Sequence, residues 1–239
     1  MQITPEDHVR IVQAIAKAEL TTAGEISCVV APDVSDYRET PLAWAAGAAL
    51  VLPAAAMLLG VRPDELTRLA GGWTIGHAAA VGTTVFWALS AYIVLQAIVF
   101  IAVSLLVSIP SVKRALTPNA VKGERVHDVA LQQFVARSLH STAGRTGVLL
   151  FVALAERRAE VIADESIYAV APREVWDSVV AKVVDGVRCG RLADGLIAAI
   201  ERAGEILAEH APATGDNPNE TPDDLTVLPP RKTPRKKKP

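Results

Sequence analysis

Apolar positions along this chain change period several times, and each change marks an element. Over residues 5–21 they recur at three and four, with His8, Ile11, Val12, Ile15 and Ala18 on one side, which predicts an amphipathic helix. Thr4, Pro5 and Asp7 suit its start, as a hydroxyl cap, a proline without a wasted N–H, and an acid near the dipole's positive end. Gly24 ends it. In GEISCVVA the residues Ile26, Cys28 and Val30 then alternate, predicting a short strand that Pro32, Asp33 and Asp36 break.

Two long apolar runs follow. Residues 42–60 carry no charge, and about 19 positions at 1.5 Å rise nearly cover a ~30 Å hydrocarbon layer. Trp44 suits an interfacial anchor, and Pro53 is tolerable where neighbouring helices re-satisfy the freed carbonyl. Arg62, Pro63, Asp64, Glu65 and Arg68 form a polar turn. No charged residue lies between Leu69 and Val112, and residues 85–109 are dense in Val, Ile, Leu and Phe. Residues 73–84 are rich in small residues and too short for a third crossing, so they read as an interfacial lead-in. A buried hairpin in a soluble core would need a polar stripe, which neither run has. The expectation is a transmembrane hairpin with spans at about 42–60 and 85–109.

Past a polar connector, residues 124–139 place Ala130, Leu131, Phe134, Val135 and Leu139 on one helical face. TGVLLFVALA at 146–155 is an unbroken apolar run opened by glycine, the pattern of a central strand covered on both faces. Glu156, Arg157 and Arg158 turn the chain, and AEVIAD at 159–164 returns antiparallel. Pro172 opens a helix with Val175, Trp176, Val179, Val180 and Val183 inward; GRLADGL leads to a last helix at 192–209 bearing Leu196, Ile200, Ala203 and Leu207. Trp176 on that apolar face is expected to pack in the core. From Ala211 onward Pro, Asn, Asp and Thr dominate, which predicts a disordered tail.

Composition adds two points. The 51 % hydrophobic content and mean hydropathy of +0.29 reflect the apolar insert. The formal charge of −2 conceals an acidic body and a basic end, RKTPRKKKP at 231–239. No basic-then-apolar leader opens the chain, so no cleavable signal peptide is expected and the first span must direct insertion. Cys28 and Cys189 have neither metal-ligand nor disulfide spacing, and His8, His77, His127, His140 and His210 show no paired spacing. GxxxxGK[ST], HExxH, GxSxG and GxGxxG are absent.

The order of elements resembles the TPM domain. The residues that carry the likeness are GEISCVVAP at 24–32, TGVLLFVALAERRAEVIADESI at 146–167 and GRLADGL at 190–196. The resemblance implies a small mixed sheet flanked by helices, here interrupted by the two-helix hairpin. It divides the chain into a first domain part at 1–40, the hairpin at 41–110, the second part at 111–210 and the tail at 211–239. Relatives of this kind have been described as acid phosphatases, as Ca²⁺-binding domains and as modules without an assigned role. Two departures bear on transfer: Gly144, Arg145, Thr146 and Gly147 stand where Lys, Asn and Gly usually precede the central strand, and Asp164, Glu165 and Ser166 replace a glycine-rich stretch.

The acidic cluster with a structural argument is Asp164 and Glu165 at the end of the returning strand, and the resemblance implies that Asp194 joins them, since it places the helix–helix turn near the same sheet edge. Hard cations take several carboxylate oxygens, so Ca²⁺ or Mg²⁺ is the cofactor these residues would hold. The favoured function is a membrane-tethered interaction module with a protein partner; the alternative is a membrane-bound acid-type phosphatase acting on phosphomonoesters. Lys and Arg near the spans concentrate on the domain side, at Arg38, Lys113, Arg114, Lys122 and Arg125, against Arg62 and Arg68 in the turn. That places the domain and both termini in the cytoplasm, on a multi-pass protein of the inner membrane. There the basic tail can meet anionic lipid. Without aromatic interleaving it is a poor nucleic-acid binder.

Overall fold

The computed structural model describes residues 3–59, 81–142, 144–213 and 221–230. The polar turn at 61–68, most of the 73–84 lead-in and the basic end at 231–239 lie outside them. The chain forms two compact units, Tyr37–Pro118 and, flanking it in sequence, Met1–Asp36 with Asn119–Pro239.

The flanking unit is a mixed α/β fold with a four-stranded sheet. Helix α1 (Pro5–Glu19) starts at a capping box in which Thr4 Oγ1 accepts from the Asp7 amide at 3.1 Å and Asp7 Oδ2 accepts from the Thr4 amide at 3.2 Å. Strand β1 is Glu25–Ala31, β2 Gly147–Ala153, β3 Arg158–Ala163 and β4 Leu225–Val227, in the order β3-β2-β1-β4. β1 pairs parallel with β2, from Glu25 opposite Gly147 to Ala31 opposite Ala153. β2 and β3 are antiparallel, with Val148 opposite Ala163.

Every residue of β1 and β2 is buried, which accounts for their unbroken apolar sequences. One sheet face, with Ile26, Cys28, Val30, Leu150 and Val152, packs in the cluster that includes Ile11 and Ile15 of α1, Trp176 and Val179 of the helix Arg173–Arg188, and Leu196 and Ile200 of the helix Leu192–His210. The other, with Val29, Leu149 and Phe151, packs with Val126, Ala130 and Phe134 of the helix Asn119–Ala136. Removing a buried Leu or Phe from water stabilises by about 1.5–3 kcal/mol, so these two clusters hold the domain together. Trp176 is a core residue, 3 % exposed, with its indole N–H given to the Ala171 carbonyl at 3.2 Å.

In chain order the helices are α1, α2 (Glu39–Leu58), α3 (Val81–Val107), α4 (Pro110–Leu116), α5 (Asn119–Ala136), α6 (Glu165–Val170), α7 (Arg173–Arg188) and α8 (Leu192–His210). Helices α4 and α6 were not legible from periodicity because each is too short to show one. The tail departs from the expected disorder. Leu225–Val227 pairs parallel with β1, Leu225 is 2 % exposed, and Thr221 anchors the approach by donating its amide to Glu25 at 3.2 Å. Two or three apolar residues beside an open strand edge suffice for this, and composition averaged over a long polar stretch hides them.

In the other unit α2 packs against α3, with Ala45 and Ala49 buried, and Trp44 donates its indole N–H to Leu116 at 3.2 Å. Two complete membrane spans are not found: among the described residues no single helix is long and apolar enough to cross a membrane. A pair, Tyr92–Val107 with Pro110–Leu116, meets the criterion only together and is bent by 98°.

Candidate functional site

The sheet ends at β3, and along that edge runs a trough of about 770 Å³ between α5 and α7. Its floor is apolar, from Phe134, Ile162 and Trp176, while its walls carry ionisable groups of both signs. His127 on α5 meets the Glu160 carboxylate on β3 through Nδ1, tying helix to strand.

One end of the trough is organised by Asp164. It caps α6, accepting from the Ser166 amide at 3.3 Å, and its carboxylate lies 3.4 Å from Arg145 Nε. Asp164 is 3 % exposed whereas Arg145 is 61 % exposed, so the guanidinium covers a buried acid. Arg145 reaches this position from a left-handed backbone, φ 51°, and its carbonyl accepts from Ser166 Oγ.

Tyr168 does what a neighbouring strand would do. The Asp164 amide bonds Gly147 across the sheet at 3.0 Å, and backbone groups of an edge strand alternate, so those of Val161 and Ala163 point away from β2. The Tyr168 hydroxyl accepts from the Ala163 amide and donates to the Val161 carbonyl, both at 3.1 Å. Arg173 stacks 5.0 Å from the centre of its ring. The trough's strand edge is thus closed by a side chain, one of the ways sheets avoid edge-to-edge association. Tyr168→Phe is expected to lower stability by about 1–2 kcal/mol, because two partly buried backbone groups lose their partner; urea unfolding with hydrogen exchange at Ala163 checks it.

The three carboxylates expected to hold a cation are not gathered. Asp164 and Glu165 line the trough, but Asp194 lines a separate cleft of about 310 Å³ with Asp7 and Arg10. There its carboxylate is 2.8 Å from Arg10 and 3.8 Å from Arg191. A helix-start acid flanked by two guanidiniums is already neutralised, and Asp164 is committed to Arg145 and a backbone amide. Among the described residues no group of three or more His, Cys, Asp or Glu is placed to hold a metal ion. The donor set does not fit Ca²⁺ or Mg²⁺, which require several free oxygens.

Sequence reasoning missed Tyr168 and Arg173 as edge residues. Tyr168 stands four positions after the capping acid, which is the only local signal. Reasoning also missed a half-open cleft of about 260 Å³ lined by Val152, Leu154, Val183, Val184 and Val187 and rimmed by Arg157, Arg158 and Arg188.

A helix-flanked mixed sheet with an antiparallel edge hairpin defines a small α/β domain, and the comparisons place it. Residues 112–206 match the family model described as the TPM domain. The match begins in α4 and ends in α8, so the likeness to the TPM domain covers the second part of the α/β unit. No curated protein matches the chain. Among solved structures, the NMR structure of the BA42 protein from the psychrophilic bacterium Bizionia argentinensis aligns over 95 % of this chain and 97 % of that one, at 18 % identity and a TM-score of 0.53. At that identity the likeness bears on the fold alone.

Proposed function

We propose that this chain is a membrane-tethered interaction module, whose TPM domain faces the cytoplasm and presents the trough beside β3 to a protein partner. The observation that carries the reading is the place and surface of the α2–α3 pair. It interrupts the connection between two adjacent parallel strands, β1 and β2, and its outward side chains are apolar: Leu50 is 65 % exposed, Ile93 62 % and Leu105 69 %. A water-facing helix pair of this kind would expose far more apolar area than soluble surfaces carry. Because β1 and β2 share a sheet, the chain must leave and return on one side of the bilayer, so crossings come in an even number.

Arg38, Lys113, Arg114, Lys122 and Arg125 lie close to the insert on the domain side, which favours the cytoplasm for that side. The basic residues at 231–239 follow soon after β4 and would meet anionic lipid there, at about 1 kcal/mol each close to the surface. The phosphatase alternative has no observation in its favour: of the trough's acids, Glu160 is engaged by His127, and Asp164 by Arg145 and the Ser166 amide.

The test uses the full chain with a topology reporter at either terminus and an alkaline carbonate wash of membranes. Retention in washed membranes, with both reporters on the cytoplasmic side, is expected. Release by carbonate removes the tether, and reporters on opposite sides remove the shared-sheet argument.

A further inference from the structure

Three strands of the sheet, β1, β2 and β4, run parallel and therefore end together, at Ala31, Ala153 and Val227. The chain leaves for the apolar insert from this end, through residues 32–36. It returns here too: Arg158, first residue of β3, donates from Nη2 to the carbonyl of Asn119, the first residue of α5, at 2.9 Å. The tail follows β4 from this end as well, with the Leu228 amide bonded to the Val30 carbonyl at 2.9 Å. One end of the domain thus holds both junctions with the insert and the origin of the basic tail.

The 260 Å³ cleft opens at this same end, between the β2–β3 turn and the last two turns of α7. Its floor is aliphatic, from Val152, Leu154, Val183 and Val187, and its charged lining consists of Arg157, Arg158 and Arg188 with no carboxylate. Glu156, the acid of the turn, is directed elsewhere, accepting from the Val34 amide at 3.3 Å. Arg157 and Arg188 are exposed, while Arg158 is half-buried and held against the start of α5. An apolar floor under a ring of guanidiniums is complementary to a molecule with a hydrocarbon part and an anionic head. Guanidiniums suit phosphate because they offer paired donors in a plane.

We propose that this cleft binds an anionic phospholipid of the bilayer to which the chain is tethered, the phosphate among Arg157, Arg158 and Arg188 and the upper acyl region over the valines. The inference rests on the membrane reading above and adds a lipid class and a site to it. It also gives the α7 end and the β2–β3 turn a shared task, holding the sheet's end against the membrane surface independently of the tail.

Cys189, one residue beyond Arg188, is exposed, and the chain's other cysteine, Cys28, is buried, so a thiol-reactive fluorophore reports beside the cleft without any substitution. The labelled full chain is placed in nanodiscs of phosphatidylcholine alone, or of equal parts phosphatidylcholine and phosphatidylglycerol, each with a trace of headgroup-nitroxide lipid. Quenching is expected to be stronger in the anionic discs, and to remain so after deletion of 231–239. Arg157→Gln with Arg188→Gln, both at exposed positions, should weaken it. At ~1 kcal/mol per basic residue near the surface, each substitution lowers apparent affinity by about fivefold. Equal quenching in the two discs overturns the proposal, as does loss of the difference on tail deletion alone, or a difference untouched by the arginine substitutions. Inorganic phosphate that abolishes the difference as well as short-chain phosphatidylglycerol does would indicate a bare anion site, and also overturns it. A chain that enters neither disc removes the tether and this inference together; one that enters both with equal quenching removes the inference only.

Discussion

Gly147→Ala is expected to destabilise the domain by about 3 kcal/mol or more, a large share of the roughly 5–15 kcal/mol that holds a domain folded. Gly147 opens β2 in parallel register with Glu25 and antiparallel contact with β3, and a Cβ there would sit 2.2 Å from the carbonyl oxygen of Leu139. That neighbour is backbone, in the short 3₁₀ turn Leu139–Ser141, and Leu139 itself is fully buried. It cannot swing aside as a side-chain tip would. Either β2 shifts, disturbing its pairing with both neighbours, or the turn is expelled from the second core cluster. Chemical unfolding of the two proteins under the same conditions measures the difference; a loss below about 1 kcal/mol would mean that the turn yields cheaply.

Raising the pH is expected to loosen β4, and Glu19→Gln to abolish that dependence. Glu19 closes α1 and accepts from the Ile26 amide at 2.7 Å, under the segment that leads into β4. Burial pushes its carboxyl up to about 9, and nearby Asp223 and Glu25 push the same way, against the lowering effect of the Ile26 bond. Other charged groups bear on the same segment: His8 Nε2 lies 3.1 Å from Asp224 and from the Leu225 carbonyl, and Arg137 is near enough to feel Asp224. The folded-state pKa of Glu19 lies above its unfolded value near 4.3, so folding takes up a proton between them. The resulting stability is whole below pH ~4 and is lost as pH rises toward 9, at no more than ~1.4 kcal/mol per pH unit. Hydrogen exchange at the Leu228 amide, corrected for intrinsic rate, follows this. Gln carries the same hydrogen bonds as the protonated acid, so unchanged pH dependence in Glu19→Gln would assign the effect to another group.

Much of the domain could be read from residue order. The run at 147–153 is apolar at every position because β2 is covered on both faces, and the parallel pairing with 25–31 follows from the helices between them. The site was less legible. Asp164 and Glu165 do line the trough, but Asp194 was joined to them because the family resemblance places the helix–helix turn near the same sheet edge; Arg10, 184 positions earlier, holds it elsewhere. Tyr168 and the arginine-rimmed cleft depend on where long side chains arrive, and periodicity records only which side of an element is covered. β4 escaped notice for a related reason, since three residues carry no period.

The insertion between β1 and β2 also fixes an order of events during synthesis. The edge of β1 is complete at Ala31, yet its partner begins at Gly147, 116 positions later (147 − 31). At ~5–20 residues per second, the ribosome needs roughly 6–23 s to supply it. Through that interval α1 and β1 have apolar faces and no sheet to join, while α2 and α3 can already pair locally. The domain's nucleus must therefore form late, around the β2–β3 hairpin, with α1 and β1 recruited to it across a long loop closure. Slow, chaperone-sensitive maturation of the first thirty residues follows from topology alone.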